Sequence, residues 1–119
     1  MMNINNNKKK DKAFPAIVVK VIDKYKVVIN RGSINNIKNG QRFLIYHVDE
    51  EPTSDPITGE SLGYLEIVKG TGKVIYIQEK MSIVESDLIQ RPYLGITGFG
   101  LEKLEPFDNP KIGDKAKPI

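Results

Sequence analysis

The order of apolar and polar positions along this chain predicts short β-strands and almost no helix. Ala16 to Ile22 (AIVVKVI) is β-branched and bounded by Pro15 and Asp23, and Tyr25 to Asn30 (YKVVIN) places Tyr25, Val27 and Ile29 on one face. Only the polar link Asp23-Lys24 separates them, and two such runs joined by two residues predict a tight hairpin. Gln41 to Val48 (QRFLIYHV) predicts a third strand, with Phe43, Ile45 and His47 on one face and Leu44, Tyr46 and Val48 on the other. Apolar groups on both faces suit a closed or covered sheet, since a sheet with one wet face alternates apolar with polar. Ser61 to Val68, Thr71 to Glu79 and Met81 to Ser86 predict three more strands, broken at Lys69-Gly70 and Glu79-Lys80. Gly63, inside the first of these, marks a bulge or sharp bend. Six closely spaced short strands predict an all-β fold, a small closed or partly open antiparallel β-barrel.

The connections carry their own signals. Residues 31–40 (RGSINNIKNG) are polar, with Ile34 and Ile37 expected to tuck inward. Prolines and Thr58-Gly59 make residues 49–60 a loop. Residues 87–107 read as an irregular insertion because of Gly95, Gly98 and Gly100, although Leu101, Leu104 and Phe107 fall at the spacing of one helical turn. Structural turns are expected at Gly32, Gly40, Gly59 and Gly113. Two of these belong to an internal echo: NIKNGQRF at 36–43 and NPKIGDKA at 109–116 share Asn-x-Lys-x-Gly followed by a polar and a basic residue. Gly40 and Gly113 would supply a positive φ just before a strand, as in small barrels whose two halves resemble each other. The alternative is a chance match between two turns.

Residues 1–12 (MMNINNNKKKDK) have almost nothing to bury and are expected to form a disordered tail. The 119 residues otherwise allow one small domain, residues 13–119. Of 18 basic and 15 acidic residues, the tail holds Lys8, Lys9, Lys10 and Lys12 against Asp11. The body is therefore neutral overall, without the domain-wide basic footprint of a nucleic-acid binder. It is nevertheless polarised: residues 13–48 carry six basic groups and one acidic, whereas residues 49–66 carry six acidic groups and no basic one. No apolar stretch follows the tail as in a signal peptide, and none is long enough to span a membrane, so a cytoplasmic chain is expected.

Little in the sequence suggests chemistry. With no cysteine and one histidine, thiol nucleophiles, disulfides and histidine-rich metal sites are excluded. His47 has no nucleophile at a recognisable spacing, and neither a phosphate-binding loop nor a dinucleotide fingerprint is present. Asp49, Glu50, Glu51, Asp55 and Glu60 offer oxygens, but not in the alternating pattern of a calcium loop; a solvated hairpin loop is the simpler reading, the alternative being that the charge contrast with residues 13–48 steers a partner or orders self-association. Tyr25, Phe43, Tyr46, Tyr64 and Tyr76 could stack single-stranded bases if they shared a wet face, although strand aromatics are first of all sheet and core stabilisers. No cofactor, metal or small-molecule substrate is expected.

Taken together, Gly32, Gly40 and Phe43, the Asp55-Pro56-x-Thr58-Gly59 loop, Leu62-Gly63, Gly72, Val74 and Gly113-Asp114-Lys115 give the chain a wider likeness. Over residues 15–86 and 109–117 it resembles the C-terminal β-barrel domain of flagellar assembly protein T, a domain type also found in assorted bacterial proteins. The resemblance implies a small antiparallel barrel acting as a binding or assembly part, with no catalytic residues; the chain departs from the family by inserting residues 87–107 ahead of the last strand. The expected function is a non-catalytic barrel that binds a protein partner or itself. The alternative is a nucleic-acid-associated barrel that contacts phosphate through Lys8, Lys9, Lys10 and Lys12.

Overall fold

The computed structural model describes residues 14–90 and 103–119. They form β1 (Ala16–Asp23), β2 (Lys26–Ile29), β3 (Arg42–Val48), β4 (Thr53–Ser54), β5 (Ser61–Gly63), β6 (Glu66–Ile77), β7 (Ser82–Ser86), β8 (Ile89–Gln90), β9 (Lys103–Leu104) and β10 (Lys115–Pro118). Six strands close an antiparallel barrel in the neighbour order β1-β10-β3-β6-β7-β2, with β2 pairing back onto β1. β4 pairs with β5, and β8 with β9, as separate two-stranded ladders. Among the described residues no helix is long and apolar enough to cross a membrane.

The expected barrel of six strands is present, but its membership differs from the sequence reading. The break expected at Lys69-Gly70 is a bulge: β6 runs unbroken from Glu66 to Ile77, and the register shifts opposite Ile45 and Tyr46. Phe107 lies over Gly70 and Gly72, so glycine serves there to admit a ring and does not end the strand. The sixth barrel strand is β10, which pairs with both β1 and β3. Among the described residues the helical spacing of Leu104 and Phe107 does not form a helical turn: Leu104 lies in β9 and Phe107 is buried in the core. Leu101, Gly95, Gly98 and Gly100 lie outside the described residues. The first hairpin turns one residue later than expected, at Lys24-Tyr25, because Asp23 pairs with Lys26.

The echo of the two Asn-x-Lys-x-Gly turns extends to their backbone. Asn36 and Asn109 both have positive φ (63° and 51°), as do Gly40 and Gly113 (85° and 99°). Lys38 N–H donates to Gln41 Oε1, and Lys111 N–H donates to Asp114 Oδ2. Gly40 N–H donates to Val74 O and Val74 N–H to Gln41 O; likewise Gly113 N–H donates to Val18 O and Val18 N–H to Asp114 O.

The symmetry covers the whole barrel. Exchanging β1, β2 and β3 with β6, β7 and β10 leaves every strand neighbour unchanged. Residue pairs follow: Ala16↔Ala116 becomes Gly72↔Phe43, and Ile17↔Lys115 becomes Lys73↔Arg42. Each first strand carries the same bulge, after Val18 in β1 and after Val74 in β6. The pseudo-twofold axis passes through the pairs Val28↔Ile83 and Leu44↔Lys117, which map onto themselves. Val18, Val27, Ile29, Phe43, Ile45, Val74, Val84, Phe107 and Ala116 fill the interior.

Two additions break the symmetry. β6 has 12 residues against 8 for β1, and its extra N-terminal part pairs with the end of β3. From this extension springs the β4–β5 hairpin. The second addition lies between β7 and the Gly113 turn, where β8 and β9 close its base.

Candidate functional site

The bulges decide what the outer face offers. In β1, Ala16 and Val18 point inward, so a regular strand would also bury Lys20. The bulge after Val18 inserts one residue, so that Lys20 joins Val19 on the outer face and Val21 returns to the core. The equivalent bulge in β6 puts Tyr76 outside and Ile77 against the core. Lys20, Val28, Ile83 and Tyr76 then form one cross-strand row over β1, β2, β7 and β6.

Val19 and Ile22 from β1 and Met81 before β7 flank this row, enclosing a groove of about 380 Å³. Its floor, Val28, is only 7% exposed, while Val19, Ile22, Tyr76 and Met81 are exposed apolar groups. The groove lies on the pseudo-twofold axis, because Val28↔Ile83 is one of the pairs that the axis crosses. Lys20 is the charged residue in its lining. A shallower depression continues from it past Asn30, Glu79 and Lys80.

A second feature is the β4–β5 hairpin. Asp55 sets its turn: the carboxylate Oδ1 accepts from Ile57 and Thr58 N–H, the Asp55 carbonyl accepts from Gly59 N–H, and Asp55 N–H donates to Glu60 O. Gly59 takes a positive φ of 79° as the turn requires. This order presents Ile57 at the tip, 91% exposed, with Leu62, Tyr64 and Leu65 also exposed. The acidic residues of the expected loop therefore stand on a structured hairpin. Among the described residues no group of three His, Asp or Glu is placed to hold a metal ion.

The base of this hairpin carries an ion cluster. Asp114, buried in the Gly113 turn, lies 3.3 Å from Lys69 Nζ and 3.5 Å from His47 Nδ1. Lys69 Nζ also donates to the Asn109 carbonyl at 2.6 Å. A buried carboxylate set between the Lys69 ammonium and the His47 ring fastens the last turn to the β3–β6 extension. His47 opens onto a polar mouth of about 450 Å³ with Asp49, Glu50 and Glu51. On another face, Arg42 and Thr71 bond the Asp87 carboxylate at 2.6 and 2.8 Å. Burial pushes the Asp87 carboxyl up, but these hydrogen bonds and the Arg42 charge outweigh it and hold the group below the ordinary carboxylate range.

The other residues singled out in the sequence are dispersed. Gly40 and Gly113 have open space where a Cβ would go, so their positive φ alone requires glycine. Gly32 opens the tight turn Ser33–Asn35 with a φ of −141°, and what requires glycine there is contact, since a Cβ would lie 2.3 Å from the Gln78 carbonyl oxygen. The aromatics do not share a wet face. Phe43 is in the core, and Tyr46 is buried with Lys117 Nζ 4.8 Å from its ring. Lys8, Lys9, Lys10 and Lys12 lie outside the described residues. The groove residues Val19, Ile22 and Met81 went unnoticed in the sequence, as did the pairing of Lys69 with Asp114. One signal for the groove was there: a lysine at the third inward position of β1 has to be turned out by a bulge.

Compared with known proteins, the chain matches no family model and no curated sequence.

Proposed function

We propose that this chain is a non-catalytic β-barrel module that docks a protein partner in the groove on the pseudo-twofold axis. The observation that carries this reading is the groove: exposed Val19, Ile22, Tyr76 and Met81 surround a floor of Val28 and Ile83 on the outside of a closed barrel. The interior needs none of these groups, and contiguous apolar surface of this kind marks interaction sites. The resemblance to a flagellar assembly domain supports the same class of role, a binding or assembly part. The ion cluster at His47 is read as a structural clasp.

The test is site-specific photo-crosslinking in cells. A photoreactive residue at Met81 should give a protein adduct, and one at Lys117, at the opposite pole of the axis, should not. Val19→Asp should remove the Met81 adduct while leaving the far-ultraviolet circular dichroism unchanged. Equal adducts from both positions, or none from Met81, would refute the groove as a docking site.

A further inference from the structure

We infer that the occupant of the groove is the β4–β5 hairpin of a second copy of this chain, so that copies join head to tail. The inference rests on the groove-docking reading and names its partner. The hairpin is shaped as an insert: four hydrogen bonds made by Asp55 hold its turn and present Ile57, with Leu62 on the following strand β5. An isoleucine at such a tip has no packing role in its own copy. The groove is an apolar slot with the chemistry to receive it.

Charge selects this pairing over the symmetric ones. Asp55 and Glu60 flank Ile57, and residues 49–66 carry no basic group at all. Lys20 lies in the groove lining, and Lys80, beside Glu79, borders the adjoining depression. Hairpin against hairpin would bring acidic groups together, and groove against groove would oppose Lys20 to Lys20. Hairpin into groove brings opposite signs together.

A copy cannot fill its own groove. The hairpin leads into β6 at Glu66, and the groove begins at Tyr76 near the other end of that strand, a separation of roughly 30 Å along an extended strand. The contact is therefore between copies and heterologous, which generates rings or open filaments and not a closed dimer.

Sedimentation velocity over a concentration series tests this. The wild-type chain should pass from monomer to dimer and larger species, less readily at high salt. Ile57→Asp should be monomeric, and so should Met81→Asp; Ile57→Ser and Val19→Asp serve as second variants, with circular dichroism to confirm folding. An equimolar mixture of Ile57→Asp and Met81→Asp should form dimers and nothing larger, since the first keeps a whole groove and the second a whole hairpin. Persistent oligomers in either variant, or a mixture that stays monomeric while wild type assembles, would overturn the inference. A monomeric wild-type chain whose Met81 crosslinks to a different protein in cells would overturn it and leave the docking reading standing. A monomeric chain with no Met81 adduct would overturn both.

Discussion

The halves of the barrel, residues 16–48 and 66–118, use the same turn at the same place for different ends. In the first half Gln41 follows Gly40 and caps Lys38 from a half-exposed position. In the second, Asp114 follows Gly113 and caps Lys111 in the same way, but it is buried and also holds Lys69 and His47. The difference comes from the neighbouring strands. β3 and β6 continue past the symmetric core on one side only, and their extension brings His47 and Lys69 over the second turn. The repeated part supplies a closed barrel, while the unrepeated part supplies the ion clasp and the hairpin that carries Ile57.

The largest test of that contrast is removal of the two capping side chains. Asp114→Ala leaves the Lys69 ammonium buried without its carboxylate and should cost about 3–5 kcal/mol. Gln41→Ala loses one exposed hydrogen bond and should cost at most about 1 kcal/mol. Urea denaturation of both variants decides it; equal losses would mean that burial does not distinguish the turns.

The next effect belongs to Gly32, where a Cβ would meet the Gln78 and Glu79 carbonyls at 2.3 and 2.5 Å. Gly32→Ala should cost about 3 kcal/mol, the upper end of overpacking, because the obstacle is backbone. Gly40→Ala and Gly113→Ala sharpen the likeness between the halves. Both sites have open space and a positive φ, so each should lose about 1–2 kcal/mol from conformation alone, and by the same amount. Unequal losses would show that the matching backbones are not equally constrained.

The smallest effect is a pH dependence on β3 and β6, away from the ion clasp. Because the Asp87 carboxyl is depressed in the folded chain, its contribution is complete above the unfolded value, roughly pH 4, and is lost as pH falls through the folded value. Asp87→Asn should therefore lower stability near neutral pH by about 1 kcal/mol or less and remove that part of the acid-side slope. Denaturation midpoints of the two proteins from pH 6 down to about pH 3 would show the curves converging.

Much of the barrel was legible in the apolar pattern. Val18, Val27, Ile29, Phe43 and Ile45 alternate as core residues of strands should, and the Asn-x-Lys-x-Gly echo marked turns that prove equivalent in conformation and hydrogen bonding. The candidate site was much less legible. Val19 and Tyr76 look in sequence like ordinary strand residues; alternation alone puts Val19 outside, but only the bulge after Val74 turns Tyr76 to the same outer face. Gly70 looked like a strand break because a one-residue slip in pairing cannot be told from an end of pairing by composition. Phe107 looked helical by spacing, whereas its position is set by the space that Gly70 and Gly72 leave open on β6.

Local chemistry by itself determined the all-β class, the first hairpin and the two glycine turns, because each depends on φ, side-chain branching and alternation within a few residues. The acidic character of residues 49–66 was likewise plain from the chain alone. Strand order, the pairing of β10 between β1 and β3, and the pseudo-twofold axis were decided only by the tertiary structure. So were the burial of Asp114 beside Lys69 and the assembly of Val19, Ile22, Val28, Tyr76, Met81 and Ile83 into one groove. Those features join residues far apart in the chain, and closure of the barrel, not any local preference, sets which of them meet.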